Sequence, residues 1–97
     1  MKRSKRYYHA AMDLNSYLST PGAMSVSQLR ARMVELGYDV KSDAQIRQWR
    51  MRHKGRVPSP ENCVGLELAT AKQIRRQDLR DDWSRVWPEL AERQEAA

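Results

Sequence analysis

Between Arg47 and Arg56 the chain carries Arg47, Arg50, Arg52, Lys54 and Arg56 without one acidic residue, and Gln48 stands among them. These residue types can read a nucleic-acid duplex. A guanidinium donates two parallel hydrogen bonds to guanine, and an amide pairs both ways with adenine. Lys and Arg also hold phosphates whatever the sequence. Arg47 and Gln48 are therefore the candidate base-reading residues, with Asp43, Ala44 and Met51 on the same cylinder. Arg50, Arg52, Lys54 and Arg56 are candidates for phosphate. Asp43 has two readings: it accepts from cytosine N4, or it serves only the start of the helix, where a negative charge suits the dipole. The plain alternative for the whole stretch is a solvated basic helix on an ordinary small domain, because charge runs are common.

Such chemistry needs a rod with one side pinned. Ser42 is a good N-cap, Asp43 falls in the first turn, and Gly55 offers a C-cap. Ile46 and Trp49, three apart, share a face that can bury against a core. The expectation is a helix over 42–53 anchored by those two side chains.

Upstream, Asp13 to Ser19 reads as a short helix with Leu14, Tyr17 and Leu18 on one side, ended by Thr20-Pro21-Gly22. Ser25 or Ser27 then caps a second helix running to Gly37, with Val26, Leu29, Met33 and Leu36 as its buried stripe and Arg30, Arg32 and Glu35 outside it. Gln28, at its start, is a further phosphate candidate. Two helices joined by a Gly-containing connection form a helix-turn-helix arrangement. Downstream, Ser59, Pro60 and Glu61 form a strong helix start. That helix carries Cys63, Val64, Leu66 and Leu68 and ends near Thr70. Ile74 and Leu79 read as core anchors. Trp83, Val86, Trp87 and Leu90 follow at helical spacing, interrupted by Pro88. They either close the core, the reading favoured for Trp83, or form a self-association surface, for which Trp87 and Leu90 are the candidates.

The 97 residues make one domain, in which three Trp, four Tyr and five Met must supply much of the core volume because Phe is absent. The expected divisions are a flexible basic arm over 1–11, a DNA-binding domain over 12–90 and a tail over 91–97. The net charge of +6 is uneven: residues 1–56 hold twelve Lys and Arg against four acids, and residues 57–97 hold six against eight. That asymmetry is expected when one face meets a polyanion. Cys63, the single cysteine, excludes an internal disulfide and fits a reducing, cytoplasmic setting. No run approaches a membrane span. His9 and His53 lack partners at metal-ligand spacing, so no metal is expected. No phosphate-binding loop or nucleophile–base set appears, so neither an enzyme activity, a cofactor nor a small-molecule ligand is expected. Glu67, within an apolar helix, is expected to pair with an arginine, Arg80 for choice.

From Leu14 to Leu90 the chain resembles the Cro-like phage and prophage repressors, and within them the YdaS-type Cro/antitoxin group. The resemblance is carried by IRQW (Ile46–Trp49), GRVPSPENCVGLELAT (Gly55–Thr70) and IRRQDLRDDWSRVWPEL (Ile74–Leu90). It implies an all-α, lambda-repressor-like bundle of four to five short helices containing a helix-turn-helix. It further implies operator double-stranded DNA as the partner, usually bound by a homodimer that regulates transcription. In the family pattern Ser42 takes the position that touches phosphate, Asp43 and Ala44 face the groove floor, Arg47 and Gln48 read bases, and Ile46 and Trp49 are the inward anchors. The chain differs in a connection between Gly37 and Ser42 about three residues longer, in Met33 where the family has a small alanine, and in Lys72 and Asp81 replacing a glycine and a proline. The longer connection and the larger Met33 are expected to compensate each other. Two other readings are a protein-interaction module using the Trp-rich tail, and a non-specific nucleic-acid binder using the basic stretches.

Overall fold

The first four helices of the fold each begin at a side chain that caps them. The computed structural model describes residues 12–96, the side chains from 93 onward excepted; the basic arm expected over 1–11 and His9 lie outside the described residues. Asp13 caps α1 (Leu14–Leu18), its Oδ1 accepting the Ser16 N–H at 2.8 Å. Ser25 caps α2 (Val26–Glu35) in a reciprocal box: its Oγ accepts the Gln28 N–H at 3.1 Å, and Gln28 Oε1 accepts the Ser25 N–H at 2.9 Å. Ser42 caps α3 (Asp43–Met51), and Ser59 caps α4 (Pro60–Ala69), with Pro60 at its first position. After a single 3₁₀ turn over Arg76–Asp78 come α5 (Trp83–Val86) and α6 (Pro88–Ala96). The described residues contain no strand, so the architecture is all-α, with six α-helices.

The sixth helix arises at Pro88. A residue before proline is driven out of the α region, and Trp87 sits at φ −126°, ψ 73°. The break separates α5 from α6, and α6 continues through most of the expected tail. Trp87, whose N–H still bonds Trp83 O at 2.7 Å, is buried at 8 % exposure, and Trp83, partly buried, packs against the core as its favoured reading expects.

α2 packs against both α3 and α4, and α3 also packs against α1. Leu29, Met33, Ile46, Cys63, Leu66 and Ile74 form the fully buried centre. Leu36, expected in the buried stripe of α2, is exposed instead at its C-cap, and Leu68 of α4 is exposed as well. α2 ends where expected, at Gly37 with φ 98°. The Tyr38 N–H returns to Met33 O at 3.0 Å and the Gly37 N–H to Val34 O at 2.9 Å. α4 ends in the same pattern without glycine: Ala71 (φ 54°) and Lys72 (φ 68°) are both left-handed, and the Lys72 N–H meets Glu67 O at 2.7 Å.

Glu67 is buried and pairs with an arginine, but with Arg76, whose Nε lies 2.6 Å from Oε1. The same guanidinium stands 5.7 Å from the Trp87 ring centroid, so ring and carboxylate share it. Arg80 is engaged elsewhere, donating to Pro58 O at 2.8 Å and to both Asp82 carboxylate oxygens.

Candidate nucleic-acid interface

α3 has nine residues, fewer than an isolated helix needs to persist in water. Its neighbours hold it. Ile46 is fully buried and Trp49 is 7 % exposed; burying Ile46 alone contributes roughly 1.5–3 kcal/mol. This is the inward placement that their spacing predicts. At its start Ser42 Oγ accepts the Gln45 N–H at 3.4 Å, and Gln45 Oε1 accepts the Lys41 N–H at 2.8 Å.

A polar clamp from α2, invisible in the sequence, locks that start in place. Arg30 donates from Nε to Val40 O and from Nη2 to Lys41 O, each at 3.0 Å. Ser27 donates its hydroxyl hydrogen to Asp43 Oδ2 at 2.6 Å. The connection between α2 and α3 is thus held by a guanidinium on two of its carbonyls. Val40, buried at 2 % exposure, anchors it from within. Met33 meanwhile occupies the space against α4, its methyl group close to Gly65. Asp43 stands in the first turn of α3 and is tied to α2 through the Ser27 hydroxyl.

Opposite Ile46 and Trp49, helical periodicity puts Ala44, Arg47, Gln48 and Met51 on one outward stripe. Ala44, Arg47 and Met51 are exposed, Met51 at 72 %, and Gln48 is half-buried. α3 stops earlier than expected. Arg52 (φ 52°), rather than Gly55, takes the left-handed C-cap, and a single 3₁₀ turn over His53–Gly55 follows, with Lys54 also left-handed at φ 55°. This reversal brings Arg56 back beside α3, where its Nη1 donates to Gln48 Oε1 at 3.1 Å.

The basic residues divide by engagement. Arg50 is half-buried and tied to α1, donating from Nε to Asn15 Oδ1 at 2.8 Å and from Nη2 to Ser19 Oγ at 3.3 Å, contacts that hold α3 against the end of α1. Arg52 approaches Asp81 only at 4.0 Å and leaves 43 % of its side chain exposed. Lys54 and Arg56 are exposed, as is His53 between them. Gln28 commits the acceptor half of its amide to the α2 box, and Ser42 its oxygen to the α3 cap. Leu90 is half-buried; Trp87, the other residue considered for self-association, is in the core and is not a surface contact.

Sequence reasoning missed Arg30, Ser27 and Asn15, whose partners lie on other elements. A helix-facing arginine offers no sign of which loop carbonyls it reaches. Among the described residues, no three His, Cys, Asp or Glu side chains gather to hold a metal ion, and no helix is long and apolar enough to cross a membrane.

The chain matches no family model, no curated protein and no solved structure. The site is defined by its own geometry. That geometry is a short rod, pinned on one side and clamped at its start, bearing a guanidinium, an amide and a thioether outward beside a basic turn.

Proposed function

We propose that this chain is a sequence-specific DNA-binding regulator of the Cro-like helix-turn-helix kind. In this reading α2 and α3 form the helix-turn-helix and α3 lies in the major groove. The observation that carries it is the two-sidedness of α3: Ile46 and Trp49 are sealed inside while Ala44, Arg47, Gln48 and Met51 project together. Arg47 and Gln48 contact base edges, and Met51 and Ala44 supply apolar contact to a thymine methyl group. Arg52, Lys54 and Arg56 neutralise phosphates, with Ser42 and Gln28 as polar contacts near the two helix starts. The surplus of basic charge in residues 1–56 supports the same direction of approach.

Operator recognition by a homodimer requires two copies of α3 spaced by one helical turn of DNA, about 34–36 Å. With Trp87 buried, Leu90, half-buried, is the one left of the two residues considered for that contact. The burial of Trp87 also weakens the alternative of a Trp-rich docking tail. A regulator of this kind works in the compartment that holds its DNA, the bacterial cytoplasm, in a phage or prophage control circuit.

The test is a titration of duplex DNA by the folded protein at moderate salt, read by footprinting. A protected sequence that Arg47→Ala with Gln48→Ala abolishes supports the proposal. Equal affinity for every duplex, or none for any, with the helical fold intact, contradicts it.

A further inference from the structure

Arg30 belongs to α2 and lies off the outward stripe of α3, yet its half-buried side chain meets the backbone that leads into α3. Its Nε donates to Val40 O and its Nη2 to Lys41 O, each at 3.0 Å. A planar fork suits two neighbouring carbonyls, because its donors are fixed relative to one another. Lys41 is held from both sides: Arg30 takes its carbonyl, and Gln45 Oε1 of α3 accepts its N–H at 2.8 Å. A second tie runs beside the first, from the Ser27 hydroxyl of α2 to Asp43 Oδ2 at 2.6 Å. Side chains of α2 thus grip the two residues before the cap of α3 and the first residue of the helix itself.

The rest of α3 is fixed independently of these contacts. Ile46 is fully buried, Trp49 is 7 % exposed, and Arg50 joins the far end to α1 through Asn15 and Ser19. Loss of the Arg30 fork therefore leaves the helix attached but free to swing at its start about its buried middle. The nine residues of α3 span only about 13 Å, so movement of the first turn carries Ala44 and Arg47 with it. Base reading feels that movement first. A hydrogen bond to a base edge fails once its distance or angle drifts. A Lys or Arg near a phosphate acts through charge, over a Debye length of about 10 Å at 0.1 M salt, and tolerates the same drift.

Resting on the DNA-binding reading, we propose that Arg30 is a positioning residue for base recognition. Through the carbonyls of Val40 and Lys41 it fixes the tilt of α3 on α2, and so the aim of Arg47 and Gln48, without itself neutralising a phosphate. Ser27 contributes in the same way through Asp43. Sequence selectivity then depends on an arginine of α2 that touches no base, while the charge-driven part of the affinity does not.

The experiment selects a bound sequence from a random duplex pool with the wild-type chain, then measures affinity for that sequence and for a scrambled duplex across a salt series. Three variants are compared. Arg30→Met keeps the apolar stem and removes the donors, Arg30→Lys keeps the charge but replaces two linked donor nitrogens with one, and Ser27→Ala removes an exposed hydroxyl. Circular dichroism checks the helix content of each. The preference for the selected over the scrambled duplex should fall about tenfold in both Arg30 variants, the scale on which one base contact discriminates. The slope of log affinity against log salt should stay at its wild-type value. Ser27→Ala should lower the same preference, and it carries the test should the Arg30 variants lose helix content. A slope reduced by about 0.9 in Arg30→Met and restored in Arg30→Lys shows a phosphate contact instead; it overturns the inference while leaving DNA reading intact. So does an unchanged preference in every variant that keeps its helix content. A wild-type selection that yields no enriched sequence overturns the DNA-binding reading and this inference together.

Discussion

Gly65→Ala should destabilise the fold, although the same exchange in an open helix does the opposite. Replacing a mid-helix glycine with alanine ordinarily gains about 0.8–1 kcal/mol through helix propensity. At Gly65 the added methyl carbon would lie 2.8 Å from Tyr38 Cγ, 3.0 Å from Tyr38 Cδ1 and 3.1 Å from Met33 Cε. The Met33 methyl is the far end of a flexible chain and can yield. Tyr38 Cγ is the root of its ring, and the Tyr38 backbone is tied to Met33 O at 3.0 Å in the cap that ends α2. Overpacking of this kind costs about 1–3 kcal/mol. Set against the propensity gain, the net loss is about 1 kcal/mol, or roughly 4–8 °C in Tm for a domain of this size. Denaturant titration of wild type, Gly65→Ala, Tyr38→Ala and the double variant closes a cycle that isolates the clash. With Tyr38 truncated, Gly65→Ala should become neutral or stabilising. A single Gly65→Ala variant more stable than wild type, or the same loss with and without the tyrosine ring, would refute the packing of α2 against α4 described above.

Lys72→Gly should raise stability by about 0.5–1 kcal/mol in thermal or urea unfolding, because Lys72 holds φ 68° where an L side chain is strained. Burial pushes the Cys63 thiol up to about 12, so maleimide at pH 8 should leave the folded protein unlabelled and modify it fully in denaturant. The Ser16 backbone N–H holds the Asp13 carboxyl below its usual value of 3.8. A group depressed in the folded state adds stability above its unfolded pKa and loses it as pH falls through the folded one. Asp13→Asn should therefore flatten the part of the stability curve below about pH 4, and Asp13→Ala should remove about 1 kcal/mol of capping at neutral pH.

Local signals in the sequence carried well. Ser25, Ser42 and Ser59 each accept the backbone N–H that their positions predict, and Gly37 ends α2 in left-handed backbone. Caps and turn residues act over three or four positions, so their partners are known from spacing alone. The burial of Ile46 and Trp49 followed from period, which is also local. What escaped depends on tertiary approach. Glu67 chose Arg76 over Arg80 because the 3₁₀ turn at 76–78 brings Arg76 to it, while Pro58 O and Asp82 hold Arg80. Trp87 joined Trp83 in closing the core; its burial, which the spacing left open between core and surface, depends on its ring and on Arg76 reaching it from another element. In the candidate interface the residue types were legible and their commitments were not. Arg50 looked free to meet phosphate and is bound to Asn15; Gln48 looked free to pair with adenine and shares its oxygen with Arg56.

The orientation of α3 on DNA can be measured directly by tethered cleavage. Met51 projects from the outward stripe at 72 % exposure, and the natural thiol of Cys63 is buried, so Met51→Cys allows a cleavage reagent to be attached at one place. On a duplex that the variant still protects in footprinting, α3 in the major groove should cut both strands within a few nucleotides at the centre of each half-site. Cleavage absent from the protected sequence, or spread evenly along it, would contradict the claim that this face of α3 reads DNA.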